Sequence, residues 1–192
     1  MPRSQVVLVR HGETEWSRDG RHTGKSDIPL TAEGRRQAEA LRRELSGWTF
    51  ALVLTSPLTR AMETSRLAGF GEVAQPRSDL VEWDYGRYDG LTSPQIAAID
   101  PGWSLWRDGG PGGEQPADVG RRADHIIAEV RAVAGNVLLF AHGHILRVLT
   151  ARWLAEPPAG GRHYALQTAA LSVLGYEHEN PVIWHWNRPP SR

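Results

Sequence analysis

Three uninterrupted apolar runs of strand length constrain this chain most: Gln5–Val9, Phe50–Thr55 (FALVLT) and Val137–Ala141 (VLLFA). A strand with one wet face alternates apolar and polar residues, whereas a strand covered on both faces stays apolar throughout. Helical signals lie between the runs. Thr31 is placed to cap a helix whose inward face repeats as Ala38, Leu41 and Leu45. Ser56-Pro57 reads as N-cap and first-turn proline of a helix running to about Ala68. Ser93-Pro94 opens a brief helix. A longer one, over 117–134, carries an inward stripe of Val119, Ala123, Ile126, Ile127, Val130 and Ala134. His142-Gly143-His144 leads into a helix ending near Leu154.

The remaining segments are weaker. Val73–Pro76 and Leu80–Val81 read as short extended pieces, and residues 100–113 as a Gly/Pro/Trp-rich loop. Leu171–Tyr176 and Val182–Trp186 read as late strands around an Asn180-Pro181 turn, with 187–192 as a frayed tail. Strands alternating with helices predict an α/β fold: a single-domain, three-layer sandwich over residues 1–192 with a mainly parallel sheet flanked by helices.

At 192 residues the chain can bury a proper core without staples. The absence of cysteine excludes disulfides, thiolate catalysis and Cys-ligated metal. Twenty-two basic residues balance 22 acidic ones, so no global field draws the chain to nucleic acid or an anionic membrane. No segment approaches the ~20 apolar residues that span a bilayer. Residues 1–5 run straight into an apolar stretch too short for a signal-peptide core, so a cytoplasmic location is expected.

In open α/β sheets, ligands collect at the carboxyl ends of the strands. Three apolar runs end there in reactive residues: Arg10-His11-Gly12, then Thr55-Ser56-Pro57 with Arg60 one turn on, then His142-Gly143-His144. A fourth, shorter piece ends in Glu82. As parallel neighbours these ends would gather two arginines, two histidines and a carboxylate. Paired guanidiniums suit a dianion, since their forked donors match phosphate oxygens. Helix N-termini after Ser56 and after His142 would add backbone N–H groups. The alternate histidines His142 and His144 could form a metal pair, but neighbouring arginines repel a cation and no acidic cluster sits nearby. The expectation is therefore no metal and no cofactor.

The motifs LVRHGET, LTSPLTRAMET, EWDYGRYDG and FAHGH resemble, in this order, the four signatures of the histidine phosphatase superfamily (phosphoglycerate mutase-like). The stretch RHTGKSDIPLTAEGRRQAEAL is similar to that family's segment after the first motif, and the resemblance spans Val6 to Leu149. It implies His11 as a nucleophile that forms a phosphohistidine, with Arg10, Arg60 and His142 holding phosphoryl oxygens and Glu82 donating a proton. The chemistry agrees. Phosphoryl transfer needs positioning and charge stabilisation, a neutral imidazole can attack phosphorus, and an alkoxide leaving group needs a proton.

The family divides between phosphatases and mutases. After the acid this chain has Trp83-Asp84-Tyr85-Gly86 where cofactor-dependent mutases carry Arg-His-Tyr-Gly, and Ser17 stands where they have Asn. Phosphatase is thus the favoured reading. A phosphoglycerate mutase or a non-catalytic phosphate-binding module remains the alternative. EWDYGRYDGLT, WSLWRDGGPGGE and FAHGHILR resemble the sedoheptulose-bisphosphatase and small bacterial acid phosphatase branch. The expected partner is a small phosphorylated substrate, with homo-oligomerisation left open. Substrate contacts are expected from Gly12, Ser17, Thr23, Gly24, Ser56, Tyr85, Gly143 and His144. Arg147, one turn after His144, is placed to meet a second anionic group, and Arg107 to close over the substrate. Gly12 would let backbone approach the ligand. Trp83, Tyr85, Trp103 and Trp106 would wall the site.

Overall fold

The computed structural model describes residues 4–191, and the elements follow in chain order. β1 (Val6–Arg10) is followed by the one-turn helix α1 (Glu15–Arg18), then α2 (Ala32–Leu45), β2 (Phe50–Thr55), α3 (Thr59–Leu67) and the two-residue strand β3 (Gln75–Pro76). Next come α4 (Ser93–Ile99), α5 (Leu105–Asp108), α6 (Pro116–Arg131), β4 (Asn136–Ala141), α7 (Gly143–Trp153), β5 (Leu171–Glu177) and β6 (Asn180–Arg188). One sheet of order β3-β2-β4-β1-β5-β6 joins the strands. β1, β2, β3 and β4 run parallel, and β5 lies antiparallel to both β1 and β6.

The apolar runs are apolar throughout because helices cover both faces. Val6 and Leu8 pack with Ile126 of α6 and Leu149 of α7, while Val7 and Val9 pack on the other face with Leu41 and Leu45 of α2. Alternate residues of one strand therefore feed two cores, the mark of a three-layer sandwich. The Thr31 cap forms as read, its hydroxyl accepting from Gly34 N–H at 3.0 Å. No helix among the described residues is long and apolar enough to cross a membrane.

Several local expectations are corrected. Ser56 is not a helix cap: α3 starts at Thr59, with Leu58 at the cap position and no side-chain bond, while Ser56 Oγ lies 2.7 Å from His142 Nε2. Only Gln75–Pro76 of the 73–76 piece is strand, and Leu80 ends a 3-10 turn, Ser78–Leu80, so Glu82 leaves a loop rather than a strand. The 100–113 loop contains α5, and Ala134 lies exposed beyond the end of α6. The late hairpin turns at His178-Glu179, with His178 at φ 53° and Glu177 paired to Asn180. Pro181 sits inside β6 because an edge strand can spare one donor. Residues 187–191 are tied down rather than frayed: Arg188 pairs with Leu171, and Ser191 N and Oγ both donate to Glu44. Arg192 lies outside the described residues.

Candidate active site

Register brings the strand ends level. Arg10 pairs with Ala141 across β1 and β4, and Thr55 pairs with Phe140 across β2 and β4. His11 extends the ladder by donating its N–H to Ala141 O at 3.0 Å. Gly12 then turns under the start of α2. A Cβ there would meet Gly34 O at 2.3 Å, so the close contact between the end of β1 and the start of α2 requires glycine.

His11 is buried, and its Nδ1 lies 2.7 Å from Gly12 O. A carbonyl only accepts, so Nδ1 carries the proton and Nε2 keeps the lone pair. Burial, reinforced by the Arg60 and Arg10 charges, holds this imidazole well below the ordinary histidine pKa. His11 is thus a neutral base facing a cavity, with its reactive edge set by one backbone bond.

Arg10 donates Nη1 to Leu166 O at 2.6 Å, while its buried Nε has no partner among the described residues. Behind His11 stand Arg60 and His142, both fully buried. Arg60 donates Nε to His142 Nδ1 at 3.1 Å, Nη1 to Ser26 O at 2.8 Å and Nη2 to Gly24 O at 2.9 Å. His142 therefore has both nitrogens engaged, Nδ1 by Arg60 and Nε2 by Ser56, and its ring centroid lies 5.1 Å from that of His11. Burial and the Arg60 charge push His142 well below the ordinary histidine range too.

Glu82 occupies the N-terminus of α7. Its carboxylate accepts from His144 N and Ile145 N at 2.9 Å each, and from Trp83 N at 3.0 Å. Asp27 likewise takes the Thr59 N–H at the start of α3. Two first-turn N–H groups of α7 and one of α3 are thus taken by the protein's own carboxylates. Gly143 sits beside both Arg10 and Glu82, where a Cβ would make ordinary contacts at 3.5 Å from Arg10 Cζ and 3.6 Å from Glu82 Oε2.

These groups open onto a cavity of about 270 Å³. Arg10, His11, Glu82 and Gly143 line it together with Ser17, Thr23, Tyr85, His144 and Arg147. The Ser17 hydroxyl is held locally, its Oγ accepting Thr14 N–H at 2.9 Å to close a capping box and donating to Thr14 O at 3.0 Å. Tyr85 OH lies 2.6 Å from His144 Nδ1, and burial pushes the phenol well above its ordinary range. Of the four expected wall aromatics only Tyr85 lines the cavity. Trp106 packs on His144 and Trp83, and Trp103 on His22, so the tryptophans back the lining residues instead of facing the ligand space. Arg147 lies over Trp106 at 4.6 Å and donates to Gly161 O.

Of the remaining expected residues, Gly12, Gly24, Ser56, Arg60 and His142 form a layer behind the cavity wall. Arg107 is not brought in. It is exposed and paired with Asp108 at 2.7 Å, a neighbour that captures it locally. Sequence reasoning missed Gly20, Arg21, His22, Ser93 and Leu166, all in the wall. Adjacency of Arg21-His22 to Thr23-Gly24 was the available signal. Glu82 is the only acidic residue lining the cavity, against Arg10, Arg21 and Arg147. Arg21 and Arg147 form no ion pair among the described residues, being held by carbonyls and indole faces instead. No group of three or more His, Cys, Asp or Glu side chains that could hold a metal comes together among the described residues.

A family model described as "Histidine phosphatase superfamily (branch 1)" matches residues 6–189. An acid phosphatase of Mycobacterium tuberculosis is 41% identical over 178 residues, covering 91% of this chain and 87% of that protein. Sedoheptulose 1,7-bisphosphatase of Saccharomyces cerevisiae is 33% identical over 186 residues, covering 78% and 67%. A solved structure, a functionally characterised open reading frame of Mycobacterium tuberculosis, superposes with a TM-score of 0.93 at 38% identity, covering 98% of this chain and 99% of that one.

Proposed function

The chain belongs to the histidine phosphatase superfamily, and from that premise we propose that His11 relays a phosphoryl group from a small phosphorylated metabolite to water. The protein is a phosphoric monoester hydrolase. The observation that carries the residue roles is the buried, unpartnered Nε of Arg10 beside a neutral His11. Leaving an arginine N–H buried and unpaired is costly, and a phosphoryl oxygen is a partner of matching charge.

In the first step the Nε2 lone pair of His11 attacks phosphorus. The P–O ester bond breaks and its electron pair stays on the leaving oxygen, which takes a proton from Glu82. Water then attacks the phosphohistidine and gives a proton back to Glu82. The P–N bond pair returns to Nε2, and inorganic phosphate leaves. Arg10 and Arg60 supply positive charge for the equatorial oxygens. The same charges that keep His11 neutral attract the dianion, so nucleophile and substrate are prepared by one field. Arg60 and His142 act from behind, since their bonds to each other, Ser56 and the 23–26 backbone fix where that field sits.

The unpaired Arg21 and Arg147 support a substrate that carries a second anionic group, a phosphate or a carboxylate. A cavity of about 270 Å³ suits an ester the size of a sugar phosphate. The test is release of phosphate from a panel of esters across pH 5–8. Turnover by the wild type that disappears in His11→Ala is expected. Silence of the wild type toward every ester, with phosphate still bound, would favour a binding module instead.

A further inference from the structure

Residues Thr23–Ser26 carry no group that reacts, yet this strap is gripped from two sides. Arg60 holds its carbonyls, with Nη1 on Ser26 O at 2.8 Å and Nη2 on Gly24 O at 2.9 Å and Thr23 O at 3.3 Å. Asp89 holds its donors, one carboxylate oxygen accepting Gly24 N–H at 2.7 Å and the other Ser26 Oγ–H at 2.5 Å. Each Asp89 oxygen has its own bond, which fixes direction as well as distance. The fit leaves no slack, because a Cβ on Gly24 would come within 2.8 Å of Trp83 O. Lys25 adds a second tie, its ammonium 2.7 Å from Asp84.

We propose that Asp89 is a positioning residue for the phosphoryl site, fixing through Gly24 and Ser26 the carbonyls that hold the Arg60 guanidinium beside His142 and His11. Asp89 itself does not line the cavity. It acts through the strap: Asp89 sets the backbone, the backbone sets Arg60, and Arg60 orients His142 through the Nε–Nδ1 bond. Because Asp84 and Asp89 lie on the loop that also carries Glu82, the strap locks the proton donor and the phosphate-side cation into one frame. This rests on reading the cavity as a phosphoryl site.

The test compares wild type, Asp89→Ala and Asp89→Asn for binding of inorganic phosphate by calorimetry and for hydrolysis of p-nitrophenyl phosphate. Asparagine can offer its carbonyl to Gly24 N–H and its amide to Ser26 Oγ, so it keeps both arms without the charge. Asp89→Ala is expected to weaken phosphate binding at least tenfold and kcat/KM by at least as much, with Asp89→Asn restoring both to within threefold of wild type. A folded Asp89→Ala that binds phosphate within threefold of wild type would overturn the proposal. So would an Asp89→Asn no better than Asp89→Ala, because charge rather than the clasp would then matter. If Asp89→Ala fails to fold, Ser26→Ala removes one arm alone: a threefold or greater loss of phosphate affinity is expected, and unchanged affinity overturns the idea. Phosphate binding without ester hydrolysis by the wild type would remove the phosphatase reading, and the affinity comparison would still decide the role of Asp89.

Discussion

Lowering the pH from 7.5 to 5.5 should destabilise the folded chain by at least the amount that two buried histidines contribute. His11 and His142 are nearly or fully inaccessible, and burial and the arginine charges hold both well below the ordinary pKa. Both therefore stay neutral at pH 5.5 when folded. In the unfolded chain each titrates near ~6.5 and takes up a proton as the pH falls. The unfolded state then binds more protons than the folded one, so stability falls as pH drops through the unfolded pKa. For one histidine the loss is RT ln(1 + 10), ~1.4 kcal/mol at pH 5.5, and less than ~0.1 kcal/mol at pH 7.5. Two give about 2.7 kcal/mol, a large share of the ~5–15 kcal/mol that holds an ordinary domain together. His144 is shifted the same way and steepens the fall. Urea denaturation at the two pH values measures it, and His11→Asn should remove about half of the two-histidine share. A stability that differs by less than ~0.5 kcal/mol between pH 7.5 and 5.5 would refute the claim that these imidazoles are held neutral.

Further outcomes follow from the same geometry. Glu82→Gln should slow hydrolysis of alkyl phosphates by ~10²–10⁴ and that of p-nitrophenyl phosphate by less than ~10-fold, since nitrophenolate leaves without a proton; equal slowing in steady-state assays removes Glu82 from the acid role. Arg147→Gln should lower the ratio of kcat/KM for fructose 1,6-bisphosphate over fructose 6-phosphate, or for 3-phosphoglycerate over glycerol 3-phosphate, by about tenfold, one lost charge contact. Which pair moves identifies the second anion as phosphate or carboxylate, and unchanged ratios in both contradict a second anionic subsite. Gly12→Ala should destabilise by ~1–3 kcal/mol, read by urea denaturation, as the new Cβ forces β1 and α2 apart next to His11. A wild-type melting curve there would mean that the 2.3 Å approach to Gly34 O is easily relaxed.

What the sequence made legible follows the range of the interactions involved. The strand runs and the Thr31 cap depend on neighbours a few residues away: the cap and Phe50–Thr55 appear as read, and the other two runs shift by one residue, to Val6–Arg10 and Asn136–Ala141. Ser56 misled because the local pattern of a helix cap is the same whether or not the hydroxyl is claimed elsewhere, and its partner His142 lies 86 residues on. Arg107 failed the other way, since Asp108 beside it was visible and the local pair prevailed. Nothing local marks Arg60 as buried. Its surroundings are the strap 34–37 residues earlier and the histidine 82 later, so its bonds to the 23–26 backbone could not be seen in the chain. Arg21 and His22 escaped because they follow no strand; a β-bridge from Arg21 to Thr92 and the His22 Nδ1 contact with Leu91 O place them in the wall.

The central claim is that phosphorus passes through the Nε2 of His11. Rapid quenching of the protein with a ³²P-labelled phosphate ester, followed by acid and base treatment and mapping of the labelled peptide, tests it directly. One label per chain is expected, lost in acid and kept in base, on the peptide containing His11, and absent from His11→Asn. Label that persists in His11→Asn, or that survives acid and falls away in base, would contradict it.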